Sequence, residues 1–122
     1  MANYQNFGII YDDDALKDVI NDSIDYTKDY NCIDVNDSLI HKITLKKKSE
    51  LDKIPTFHGS LNAPDYELAT FYITLIPPTS LEEFQKIIIS ENEHYKSKEL
   101  ELLISMISKA ISEYKYMVHF GI

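Results

Sequence analysis

Arginine and tryptophan are missing altogether from the 122 residues. Arginine is the side chain that grips phosphate and carboxylate with a planar fork. Its absence weighs against phosphoryl chemistry and against reading guanine edges in a DNA groove. A genome poor in G and C would produce the same loss along with the many Asn, Ile, Lys and Tyr residues. The composition therefore suggests a low-GC bacterium or one of its phages. The single cysteine, Cys32, excludes an internal disulfide and a cysteine-built zinc cluster, and a buried or bystander thiol is the expectation. The only glycines are Gly8, Gly59 and Gly121, too dispersed for a phosphate-cradling loop. No apolar run approaches the roughly 18 residues of a membrane span. The opening MANYQNFG lacks a basic stretch followed by an apolar one, so no secretory signal is read and a cytoplasmic protein is expected.

Paired metal ligands are also lacking. His41, His58, His94 and His119 are never three or four residues apart, so no two share a helix face. Each reads as a packed or surface histidine. His58-Gly59-Ser60 sets a histidine beside a hydroxyl, but no nucleophile-base-acid spacing surrounds it. The carboxylates Glu82-Glu83 and Glu99/Glu101 fall at helix starts, where capping and solubility explain them. No catalytic residue, cofactor or metal is expected, and the chain does not read as an enzyme.

What is present is negative charge, unevenly placed. The net charge is −8. Residues 1–37 carry nine aspartates (12, 13, 14, 18, 22, 25, 29, 34 and 37) against Lys17 and Lys28, a local balance of −7. The rest sets eleven acids against ten lysines. Most of the excess lies in Asp12 to Tyr30, DDDALKDVINDSIDYTKDY. On a helical wheel Asp14, Asp18, Asp22, Asp25 and Asp29 fall within about 80° of arc. Leu16, Val19, Ile20, Ile24, Tyr26 and Tyr30 gather opposite. This predicts a two-faced helix, capped by the Asp12–Asp14 triplet and stopped at Tyr30-Asn31, with its apolar side on a core. Like charges at this spacing repel by a few tenths of a kcal/mol per pair. A solvated helix face accounts for the stripe; so does a surface for a basic partner. A calcium loop does not, for the triplet lacks the Asp/Asn alternation, the glycine and the closing glutamate.

At 44% hydrophobic and 26% charged, the chain belongs with globular domains, and residues 1–122 are read as one α+β domain. Phe7 to Tyr11 predicts a first strand, Asn31 to Ser38 a polar connector, and Leu39 to Lys46 a half-buried strand from its alternation. Lys46-Lys47-Lys48 reads as a solvated turn. A short helical turn is placed at Ser49–Ile54 and a loop at Pro55–Pro64. Tyr66 to Ile76 is the strongest strand, ended by Pro77-Pro78, with Ala69, Phe71, Ile73 and Leu75 on one side and Tyr66, Tyr72, Thr74 and Ile76 on the other. Ser80 and Glu83 fit a capping box. The helix from Leu81 is expected to break across Ser90–Lys96, and a second to start near Ser97 with the strip Leu100, Leu103, Ile104, Ile107, Ile111 and Tyr114. Leu102 and Met106 lie off that strip and suggest a second contact. Tyr116 to Ile122 predicts a closing strand.

This order gives a ferredoxin-like βαββαβ sandwich: an antiparallel sheet, helices on one face, the second helix split. The other sheet face would be open and apolar, which suggests a homodimer through it. On function, the expectation is a binding protein that neutralises a basic protein, such as a toxin or a nucleic-acid enzyme, in the manner of an immunity protein or a phage-encoded antagonist. The partner-facing residues would be Asp14, Asp18, Asp22, Asp25 and Asp29. Direct nucleic-acid or membrane binding is not expected. An oligomeric phage accessory protein and a small-molecule-binding ferredoxin-like domain are the alternatives.

Overall fold

The computed structural model describes residues 4–11, 32–57 and 73–121. Four strands make one sheet: β1 (Tyr4–Ile10), β2 (Ile33–Asn36), β3 (Ile73–Ile76) and β4 (Tyr116–Phe120). Their order is β2-β1-β4-β3, and every pairing is antiparallel. Phe7 stands opposite Ile33 on one side and His119 on the other, and Leu75 stands opposite Val118. Outside β3, Phe57 adds a single bridge, exchanging both backbone hydrogen bonds with Leu75 at 2.8 and 2.9 Å.

The period of two sorts the side chains. Gln5, Phe7, Ile9, Val35, Thr74, Ile76, Met117 and His119 share the face that meets the helices. Its apolar members join one core with α1 (Asp37–Lys46), α2 (Lys48–Leu51), α3 (Pro78–Tyr95) and α4 (Lys98–Glu113). The reverse face carries Ile10, Leu75, Val118 and Phe120, with Cys32, Phe57, Ile73 and Tyr116 against them. That face was expected to stand open for a dimer. At these four positions it is buried within the single chain, Phe120 being the most accessible at 8%.

Among the described residues, an α+β domain is therefore present, with a four-stranded antiparallel sheet and helices on one face. The ferredoxin-like order is not seen among the described elements. A split βαβ unit sets its first two strands parallel with another strand between them, whereas here β1 and β2 are direct antiparallel neighbours in the order β2-β1-β4-β3. The predicted helix at 12–30, the Pro55–Pro64 loop beyond Phe57, and the Tyr66–Tyr72 part of the strong strand lie outside the described residues.

Local corrections have local causes. Ile33–Asn36, read as connector, is an edge strand on β1. Leu39–Lys46, read as a strand, is helix α1. Asn36 caps it, its side-chain oxygen accepting from Leu39 N–H at 3.3 Å, and Asp37 puts negative charge in the first turn. Ile40 and Ile43, three apart, turn inward, while Leu45 is left 77% exposed. Ser80 does not cap α3. Pro77 is the N-cap, Pro78 takes the first turn where no N–H is needed, and the buried Ser80 hydroxyl donates to Pro55 O at 2.6 Å. The polar run from Ser90 does not break that helix, because Glu91 continues the inward line of Phe84 and Ile88. The stop comes at Lys96, in the left-handed conformation with φ 51°.

The second half of the split helix follows the expectation. Ser97 caps α4, accepting from Leu100 N–H at 3.2 Å, and Leu100, Leu103, Ile107 and Ala110 are wholly buried. Ile104 and Ile111 flank that line, half-buried against the core, and so does Met106. Leu102 is exposed, as is Tyr114, which turns left-handed (φ 54°) to end the helix.

Candidate functional site

The five aspartates expected to face a partner, Asp14, Asp18, Asp22, Asp25 and Asp29, lie outside the described residues. Two acids of the same N-terminal excess are described, and both serve the fold. Asp34, on β2, accepts a hydrogen bond from the Asn6 amide across the strand pair. Asp37, at the first position of α1, accepts from the Gln5 amide at 2.7 Å and lies 3.1 Å from His41 Nε2, one helical turn on.

Gln5 makes that contact from inside the sheet. It is fully buried, and its oxygen lies 2.5 Å from Nε2 of the equally buried His119. A carboxylate only accepts, so the Gln5 NH₂ must face Asp37 and its carbonyl must face His119. His119 Nε2 therefore carries the hydrogen. The imidazole also stacks on Phe7, with ring centroids 4.6 Å apart. The line His41–Asp37–Gln5–His119 thus ties α1 to the two central strands. Its geometry orients side chains, and it presents no nucleophile beside a base.

A second buried polar group lies at the other end of α1. Glu91 is 1% exposed, and its carboxylate meets Lys46 Nζ at 3.4 Å and Lys47 Nζ at 3.8 Å. The lysines sit at the helix C-terminus, where positive charge also suits the exposed carbonyls. Beside them opens a groove of about 440 Å³ between α2 and α3. Ile54 and Ile87 contribute apolar surface, and Lys47, Lys53, Lys86, Glu50, Glu83 and Ser90 contribute polar groups.

The remaining chemistry is muted. Burial, and then the nearby Asp34 charge, push the Cys32 thiol up to about 12. It stays protonated at neutral pH and makes a poor nucleophile. Lys109 is held above its ordinary value, chiefly by a side-chain interaction with Tyr11, over whose ring its ammonium sits at 5.6 Å. His41 stands with Asp37 and His94 packs edge-on against Tyr95 at 4.9 Å, while His58 is outside the described residues. Among the described residues no three His, Cys, Asp or Glu gather as metal ligands, and no helix is long and apolar enough to cross a membrane.

The sequence reading missed Gln5, Glu91 and the groove. Gln5 was detectable as a polar residue in step with Phe7 and Ile9. Glu91 was detectable as the next inward position after Phe84 and Ile88. The groove joins residues 47–54 to 83–90 and left no local signal. No family model, curated protein or solved structure matches this chain.

Proposed function

We propose that the chain is a small acidic binding protein that occludes a basic protein partner, such as a toxin domain or a nucleic-acid enzyme. The supporting observation is how unevenly the charge is placed along the sequence. Beyond residue 37, lysines stand beside acids: Lys48 with Asp52 at 3.2 Å, Lys86 with Glu83 at 3.3 Å, Lys46 with Glu91 at 3.4 Å. The first two are exposed and add little stability, the third meets a buried carboxylate, and all three cancel charge locally. The excess of −7 in residues 1–37 has two lysines to offset nine aspartates. Asp34 and Asp37 are engaged within the fold. That leaves seven, among them the stripe Asp14, Asp18, Asp22, Asp25 and Asp29, as the field that a basic partner would meet. Complementary charge speeds encounter and rejects acidic competitors.

The test is a capture experiment with identification of the retained protein, followed by association kinetics with that protein. Asp18→Lys with Asp22→Lys should slow association by about tenfold or more in low salt, the scale of electrostatic steering, with thermal stability unchanged. Capture undiminished by the double reversal in low salt would refute the reading.

A further inference from the structure

We propose that the groove between α2 and α3 binds a small organic anion, with a carboxylate or phosphate head on an apolar body. Three ammonium groups border it. Lys86 leans on Glu83 at 3.3 Å, while Lys47 lies 3.8 Å from both Glu50 and Glu91, too far for a hydrogen bond. Lys53 is exposed on the same rim. Ser90 adds a hydroxyl donor. Ile54 and the half-buried Ile87 offer apolar surface that a hydrocarbon or ring would cover.

Glu91 explains why Lys47 is held there. Its buried carboxylate has one oxygen, Oε1, without a hydrogen-bond partner, and that oxygen faces Lys47 Nζ at 3.8 Å. Attraction to a buried negative charge holds the ammonium beside the groove without a close hydrogen bond, which leaves its N–H groups for an incoming head group. Glu91 is thus a positioning residue. Glu50 and Glu83 act the other way, each drawing an ammonium aside and repelling an anion.

That opposition supplies the test. The full chain is titrated calorimetrically at physiological salt, where screening over about 8 Å mutes charges outside the groove. The probes are phenylbutyrate, phenyl phosphate, the neutral phenylbutyramide and the cationic phenylbutylamine. An anionic probe should bind in the millimolar range or tighter, with the stronger of the two naming the head group, and the amide and amine should bind at least several-fold more weakly. Lys53→Ala should weaken the anion by about threefold, the scale of one exposed ion pair. Glu83→Gln should tighten it by a similar factor, because Lys86 is released. Both substitutions are at exposed positions, so thermal melts should match the parent. Failure of both anions to bind, equal binding of the amine, or weaker binding on Glu83→Gln overturns the proposal. None of these results bears on the aspartate stripe.

Discussion

Helices α1 and α4 pack on the same face of the same sheet, yet only one announces itself. In α4 the buried side chains Leu100, Leu103, Ile107 and Ala110 keep one line over three turns. No strand period fits them. In α1 only Ile40 and Ile43 are buried, and the sequence LIHKITLK alternates as well as it spirals. Two inward positions cannot establish a period. What decides α1 is the cap at Asn36 and the burial available at a three-residue step, both of which depend on where the neighbouring strand ends. A long amphipathic helix is specified by its own pattern, and a short one by its context.

Substitutions rank the two helices. Leu103→Ala in α4 should cost about 3–4 kcal/mol in urea denaturation, since a wholly buried leucine leaves a cavity. Less than about 1 kcal/mol would mean that α4 is not the centre of the core. Ile43→Ala in α1 should cost about 2–3 kcal/mol by the same mechanism, less because α1 buries fewer residues around it. A loss equal to that at Leu103 would erase the contrast. Next are the caps: Asn36→Ala and Ser97→Ala should each cost about 1 kcal/mol. Asn36→Ala should be the more damaging relative to its helix, measured as loss of amide exchange protection across α1. The smallest effect discriminates best. Leu45→Ser should fall within about 0.5 kcal/mol of the parent, as exposed sites do. A strand through 39–46 with Leu45 inward would instead lose about 2 kcal/mol or more.

The same distinction sets what was legible. β1, β4, the last turn of the strong strand at Ile73–Ile76 and the Ser97-capped α4 were all readable, because each carries its period or its cap in contiguous residues. β2 was not, for four residues with one fully buried side chain, Val35, give no alternation to count. The extent of α3 was missed because Glu91 is polar and points inward, and hydropathy treats any charged residue as outward. Of the candidate site, the aspartate stripe is a sequence pattern. The contacts of Gln5 with Asp37 and His119 span 32 and 114 residues and have no sequence trace.

The middle of the sheet joins the earliest described strand to the latest, β1 to β4. During synthesis β1 must therefore wait, its apolar edge unsatisfied, until residues 116–120 have emerged from the ribosome. Pairing across such a separation carries a large loop-closure cost and comes late in folding. Nascent chains of this protein are thus exposed to aggregation between the emergence of β1 and that of β4.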